Sequence, residues 1–198
     1  MLEDLGETLM VQKVFIDANI LFSRTLRDWV FMLREETQGS LFVVVSSQDA
    51  LFEAGARLRD HYPSHGSHLI TSLLDKCEKY MDEVIENYPG GKVPWIEDEG
   101  DWHVHHAATA CNAHYLLTQD KGFDDTHTCY EVYSADEFFL LINEFAPQAV
   151  KKITKLQSLH WAKKDSSKTL SVALRNAKCL EFAEIVDVYL RELAREDY

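Results

Sequence analysis

Val14-Phe15-Ile16-Asp17-Ala18-Asn19-Ile20-Leu21-Phe22 is the stretch whose reading decides the fold. Its opening residues are β-branched or aromatic, and the run stops on an aspartate. Such a run reads as a buried strand of a parallel sheet. An acid in that position emerges at the strand's carboxyl end, the edge where open α/β sheets bind ligands. Asn19 follows two residues on, where its amide can hydrogen-bond Asp17 or brace the turn.

Outward from this run, strands alternate with helices. Residues 13–17 form the first strand. Ser23 caps a helix to about residue 37, with Leu26, Trp29, Val30 and Leu33 on its inner face. Gln38-Gly39-Ser40 stops it. Residues 41–45 are a second strand, and Ser46 or Ser47 caps a helix carrying Leu51, Phe52, Ala54 and Leu58. After a break at 63–66, the spacing of Leu69, Leu73, Leu74, Cys77, Met81 and Ile85 predicts a helix over about 67–86. Pro89-Gly90-Gly91 ends that unit, and 92–95 reads as a short strand. A helix over about 101–112 precedes strands at 114–118 and 130–133. Ser134 with Glu137 is a capping-box signal for a helix to about 145.

This alternation predicts an α/β fold with a central, mostly parallel sheet, right-handed crossovers and helices on both faces. Residues 1–147 make that unit, with 1–12 as a lead-in. Pro147 opens a helical extension, 148–198, expected to pack on it. The extension has a polar break at 163–168 and a last helix over about 178–194 striped by Phe182, Ile185, Val186, Tyr189, Leu190 and Leu193.

With 198 residues, 46% hydrophobic and 27% charged, this is the composition of an ordinary globular protein with a real core. No apolar run approaches bilayer length, and the first residues lack the basic start of a signal peptide. No membrane partner is expected. Cys77, Cys111, Cys129 and Cys179 form no CxxC pair, so they read as reduced core residues of a cytoplasmic protein, not as a zinc site or disulfide framework.

The net charge of −13 argues against a simple polyanion binder, because like charges repel. It hides an asymmetry, however. Residues 148–178 carry eight Lys/Arg against one acid, Asp165, and residues 1–147 carry ten against 26 acids. One basic face and one acidic region follow.

Four carboxylates stand out. Asp17 ends the first strand. Glu53 lies in the helix after the second. Asp101 opens the helix reading Asp101-Trp102-His103-Val104-His105-His106, with Asp98 upstream. Asp120 follows the 114–118 strand in Leu117-Thr118-Gln119-Asp120-Lys121-Gly122-Phe123. Three of these sit after a strand or at a helix start and can share one sheet edge. No strong cation stands beside them in sequence. Carboxylates crowded in this way raise one another's pKa or recruit a divalent metal, and oxygen ligands suit Mg²⁺ or Mn²⁺. Phosphodiester hydrolysis needs a deprotonated water and a shielded phosphate, both of which a carboxylate-held metal supplies.

The order Asp17-x-Asn19, Glu53, Asp101-x-x-Val104-x-x-Ala107-Ala108 and Thr118-Gln119-Asp120-x-x-Phe123 resembles the PIN-domain nucleases, most of all the VapC-like toxins of toxin–antitoxin pairs. The resemblance covers about residues 13–145. It implies a PIN-like three-layer fold and metal-dependent cleavage of RNA. It makes Asp17, Glu53, Asp101 and Asp120 the catalytic candidates, with Asp17, Asp101 and Asp120 as ligands of Mg²⁺ or Mn²⁺. Asn19, Asp98 and Thr118 are the supporting residues. The implied partners are an RNA substrate and a cognate antitoxin protein, with a homodimer as a further option. Two features depart from the commonest toxin pattern, namely the extension and the acidity of the body.

Other readings compete at each position. Asp17 can cap a helix, Asp101 can favour a helix dipole, Asp120 can open a turn and Glu53 can be a solvated helix acid. Asp124 and Asp125 read as loop acids more than ligands. His103, His105 and His106 are too crowded for an ordinary zinc set. Arg24 and Arg27 either meet a phosphate or pair with Asp28 and Glu35. Lys151, Lys152 and Lys155 are the candidate RNA-gripping stripe, or a solvated face. Ile153, Leu156, Leu159 and Trp161 offer a protein-contact face instead. A haloacid-dehalogenase-like phosphatase needs a second aspartate where Asn19 stands. A non-catalytic RNA- or protein-binding module of the same fold is the remaining alternative.

Overall fold

β1 (Gln12–Ile16) is the central strand of a five-stranded sheet. The computed structural model describes residues 11–123, 126–162 and 169–196. The other strands are β2 (Phe42–Ser47), β3 (Glu83–Ile85), β4 (Tyr115–Leu117) and β5 (Glu131–Tyr133). Their order is β3-β2-β1-β4-β5, and every pairing is parallel. The expected α/β architecture is therefore present, with all strands parallel, consistent with a PIN-like three-layer fold.

Burial explains why β1 is central. Val14, Phe15 and Ile16 are all fully buried, as a strand covered on both faces must be. Successive side chains point to opposite faces. Val14 and Ile16 join the larger core with Val44 and Leu117, while Phe15, Val45 and Leu116 join a smaller one. α5 (Trp102–Ala110) covers the smaller side through Val104, Ala107 and Ala108. α2 (Arg24–Glu36), α3 (Gln48–His61) and α6 (Ala135–Phe145) contribute Trp29, Ala54 and Phe138 to the larger side. The caps fall where the sequence places them. Ser23 caps α2, Ser47 caps α3, and Ser134 with Glu137 forms the capping box of α6.

Three expectations fail. The helix read over 67–86 stops earlier, as α4 (Ser67–Tyr80), and 83–85 is strand β3. Asp82 makes the switch. Its N–H donates to the Val44 carbonyl, while its carboxylate accepts from the Val44 N–H and from Arg34. Those bonds seed the pairing of β3 with β2, and Ile85 fits the helical spacing only by coincidence. Residues 92–95 form no strand. Ile96 N–H bonds back to the Val93 carbonyl, and Trp102 Nε1 donates to the Ile96 carbonyl, so this is a turn that buries Val93 and Ile96. Cys129 is exposed, unlike the other three cysteines.

The extension comprises α7 (Pro147–Ala162), α8 (Leu170–Asn176) and α9 (Leu180–Glu196). The expected last helix is present as α9, with α8 as a separate short helix before it, and the 163–168 break lies outside the described residues, as does most of the lead-in. These helices complete the main core. Val150, Ile153, Leu170, Leu174, Phe182 and Val186 belong to the same buried cluster as Trp29, Phe138 and Phe139. The Phe182 ring lies 4.9 Å from Trp29, edge-on, and 5.0 Å from Phe139. The Asp136 carboxylate in α6 accepts the first backbone N–H groups of α9, from Leu180, Glu181 and Phe182. Four orphan donors open any helix, so this capture pins the extension to the body. Phe182→Ala is expected to cost about 3–5 kcal/mol, read from urea unfolding. A loss below about 1 kcal/mol would mean that the extension is only loosely docked.

Candidate active site

The chain leaves β1 toward β2 on one side and later returns as β4 on the other, so the strand order reverses between β1 and β4. Open α/β sheets bind ligands in the crevice beyond such a switch point. Asp17 ends β1 there, and Thr118 ends β4 beside it.

Asp17 is 6% exposed and is clamped. It caps the short helix α1 (Ala18–Phe22) by accepting from the Ala18 N–H. Its other oxygen accepts from the Asn19 amide and, at 2.6 Å, from the Thr118 hydroxyl. Asn19 donates to Thr118 Oγ1 as well, at 2.9 Å, and accepts from the Gln119 N–H at 3.0 Å. The Thr118 hydroxyl oxygen in turn accepts from the Asp120 N–H at 3.0 Å. One polar network therefore fixes the ends of β1 and β4 against each other. Helix capping and a site role are compatible here. Despite its donors, burial raises the Asp17 carboxyl above its ordinary value, with a smaller push from Glu53.

Asp101 enters from the N-terminal end of α5. Its side chain makes no capping bond, so capping does not account for it. Its carboxyl is pushed up to about 6, first by burial and then by Asp120, Asp17, Asp98 and Glu53. Asp101 is thus where the field of the other carboxylates is felt most plainly. Gly122 sits between two of them. A Cβ there would lie 3.3 Å from Asp120 Oδ1 and 3.7 Å from Asp101 Oδ2. Asp120 also accepts from the Gly122 N–H at 2.8 Å, so it shapes its turn while facing Asp101. Asp98 is exposed and caps the 3-10 turn Glu99–Asp101 through the Gly100 N–H.

Glu53 differs from the other acids. Arg57, one turn along α3, bonds one carboxylate oxygen, and His103 Nε2 lies 3.2 Å from the other. The expectation of carboxylates without a counter-cation therefore fails at Glu53. His103 first, and then Arg57, hold its carboxyl below the ordinary range against burial, and Glu53 raises the His103 imidazole. His103 Nδ1 is buried without a partner. His105 bonds the Tyr130 hydroxyl at 2.9 Å, and His106 faces the Gly91 carbonyl at 3.0 Å. The three histidines thus have three different neighbours and form no common set.

Among the described residues, no three His, Cys, Asp or Glu side chains stand close enough to form a ready-made metal shell. The chemistry of the donors nonetheless suits a hard divalent cation. Asp17, Asp101 and Asp120 are all oxygen donors, and their mutual repulsion is what a cation would relieve.

The other candidate residues lie elsewhere. Arg24 pairs with Asp28 at 3.5 Å on the surface, and Arg27 is buried, donating to the Leu21 carbonyl at 2.6 Å. Lys151 pairs with Glu192 and Glu196 at 3.0 and 2.8 Å, and Lys152 with Glu36 at 2.8 Å. Lys155 adds to the pull of Lys151 on the Glu196 carboxyl. The charge of this stripe is compensated within the fold. Asp124 and Asp125 lie outside the described residues. An apolar depression of about 360 Å³ between α2 and α4 includes none of the four carboxylates. Sequence reasoning missed Arg57 and Gln119. The spacing of Arg57 four residues after Glu53 is the signal that was available.

No family model matches the chain, and comparison with curated proteins and with solved structures likewise gave no match.

Proposed function

We propose that the protein is a metal-dependent nuclease acting on RNA, and more particularly a ribonuclease toxin neutralised by a partner protein. The observation that carries the first step is that Asp17 ends β1 at the sheet's switch point while Asp101 feels both Asp120 and Asp17, its carboxyl raised to about 6 by burial first and by those acids next. The second step rests on the resemblance to PIN-domain toxins in the order of the acids.

Asp17, Asp101 and Asp120 are the residues that would hold Mg²⁺ or Mn²⁺. When bound, such a cation lowers the pKa of a water and shields charge on the phosphate. The chain supplies the rest. Thr118 and Asn19 fix the Asp17 carboxylate so that no reorganisation is needed on binding. Asp101, raised while the acids face one another alone, would be ionised when it holds the cation. Arg57 places positive charge beside the acids, where a phosphate would otherwise meet only negative charge, and Glu53 favours the charged form of His103.

The competing reading is a non-catalytic RNA- or protein-binding module. It is favoured by one observation, that Glu53 is already paired with Arg57 and bonded to His103. A phosphatase of the haloacid-dehalogenase kind is disfavoured, because Asn19 acts as a donor to Asp17 where that chemistry needs a second acid.

The test is the chemistry of the ends. Purified protein incubated with single-stranded RNA and Mg²⁺ should yield fragments without 2′,3′-cyclic phosphate, because water and not the 2′-hydroxyl attacks. RNA left intact by protein pure of other nucleases would support the binding-module reading. Cyclic-phosphate ends would point to metal-independent cleavage.

A further inference from the structure

Lys151 and Lys152 of α7 are engaged in ion pairs, yet the extension does reach the carboxylates at another point. Gln119 makes the link. Its backbone N–H donates to Asn19 Oδ1 at 3.0 Å, and its side-chain amide donates to the Ala177 carbonyl at 3.3 Å. The turn between α8 and α9 is therefore tied to the same polar network that clamps Asp17.

Lys178 occupies the tip of that turn, with φ of 65°. The turn closes with Lys178 N–H on the Arg175 carbonyl and Cys179 N–H on the Leu174 carbonyl, both at 3.0 Å. This is a helix C-terminal motif in which the left-handed position is normally glycine, because a Cβ is disfavoured there. A lysine in that place carries a backbone penalty that glycine would remove.

Lys178 also lines a groove of about 540 Å³ that begins at the site, with Thr118 and Asp120 in its wall. Lys121 is the second cation of that groove, and Glu137, its other acid, is engaged by the Ser134 N–H and hydroxyl. Among the described residues neither lysine makes an ion pair, in contrast to Lys151, Lys152 and Arg57. Two uncompensated cations beside an acidic centre, in a chain of net charge −13, complement a polyanion that must approach that centre.

We infer that the groove from Asp120 to the α8–α9 turn is the track for a single RNA strand, and that Lys178, with Lys121, contacts phosphates flanking the cleaved bond. This deepens the nuclease reading and rests on it. Such contacts position the strand without reading its bases.

Lys178→Gly separates function from folding, because glycine is at ease with the observed backbone. The measurement is anisotropy of a labelled short oligouridylate with full-length protein in Mg²⁺, over a range of salt, in the Asp17→Asn background to prevent cleavage. Lys178→Gly is expected to bind about tenfold more weakly, as for loss of one charge-assisted contact. The slope of log affinity against log salt should fall by about 0.7, with the melting temperature unchanged or higher. Lys178→Arg should restore both affinity and slope, and Lys151→Gln with Lys152→Gln should leave them unaltered. Unchanged affinity and slope in Lys178→Gly, with the parent binding normally, would overturn the assignment of the groove. No binding by the parent protein at any salt would instead bring down the nuclease reading itself.

Discussion

Asp17→Asn is expected to abolish RNA cleavage, with a loss of at least about 10²–10³-fold, the scale of removing one preorganised electrostatic group. The substitution keeps the size and shape of the side chain and removes its charge. Asp17 accepts from Ala18, Asn19 and Thr118, so its position is set before any ligand arrives. Stability should barely suffer. A buried carboxylate is costly to ionise, and removing that charge offsets the loss of one hydrogen bond. Melting within about 4 °C of the wild type, together with lost cleavage, is the combined result to look for. Cleavage at the wild-type rate would remove Asp17 from the mechanism.

Asp101→Asn is expected to stabilise the metal-free protein at neutral pH and to lose that advantage in acid. The sign follows from linkage. The folded carboxyl is raised to about 6 from an ordinary 3.8, so the folded state binds more protons than the unfolded state between those values. Its contribution to stability is present below about pH 4 and is lost as pH rises through about 6. Discounted for its partial exposure, the difference is about 1 kcal/mol, or roughly 3 °C in melting temperature. At about pH 7.5 without metal, the variant should melt higher by that amount, and below about pH 4 the two should coincide. Millimolar Mg²⁺ should reverse the order, because the wild type gains a ligand that the variant binds less well. A difference independent of pH would mean that Asp101 does not feel the other acids.

The parallel sheet and the acids on its carboxyl edge were legible because they are local. Val14 to Ile16 announces a doubly covered strand, and Asp17 and Thr118 end their strands within a residue of where hydrophobicity stops. The β3 strand was not legible. Three residues, Glu83 to Ile85, carry too little pattern, and what converts them from helix to strand is Asp82 bonding Val44, a contact between distant segments. The pairing of Glu53 was half legible, since Arg57 is spaced for it on α3 and His103 comes from another element. Charge counting located the lysines of the extension but could not show which of them are spent on Glu36, Glu192 and Glu196. Nor does composition reveal a left-handed lysine, because φ at position 178 is set by how α8 ends against α9.

The central claim is that carboxylates from three elements form one divalent-cation site that cleaves RNA. It is tested most directly by titrating Mn²⁺ into EDTA-treated wild-type protein and following cleavage of a single-stranded RNA. Cleavage absent in EDTA, restored by Mn²⁺ in a saturable manner and not restored in Asp17→Asn is the predicted result. Cleavage that persists in EDTA, or that Mn²⁺ restores equally in Asp17→Asn, would contradict it.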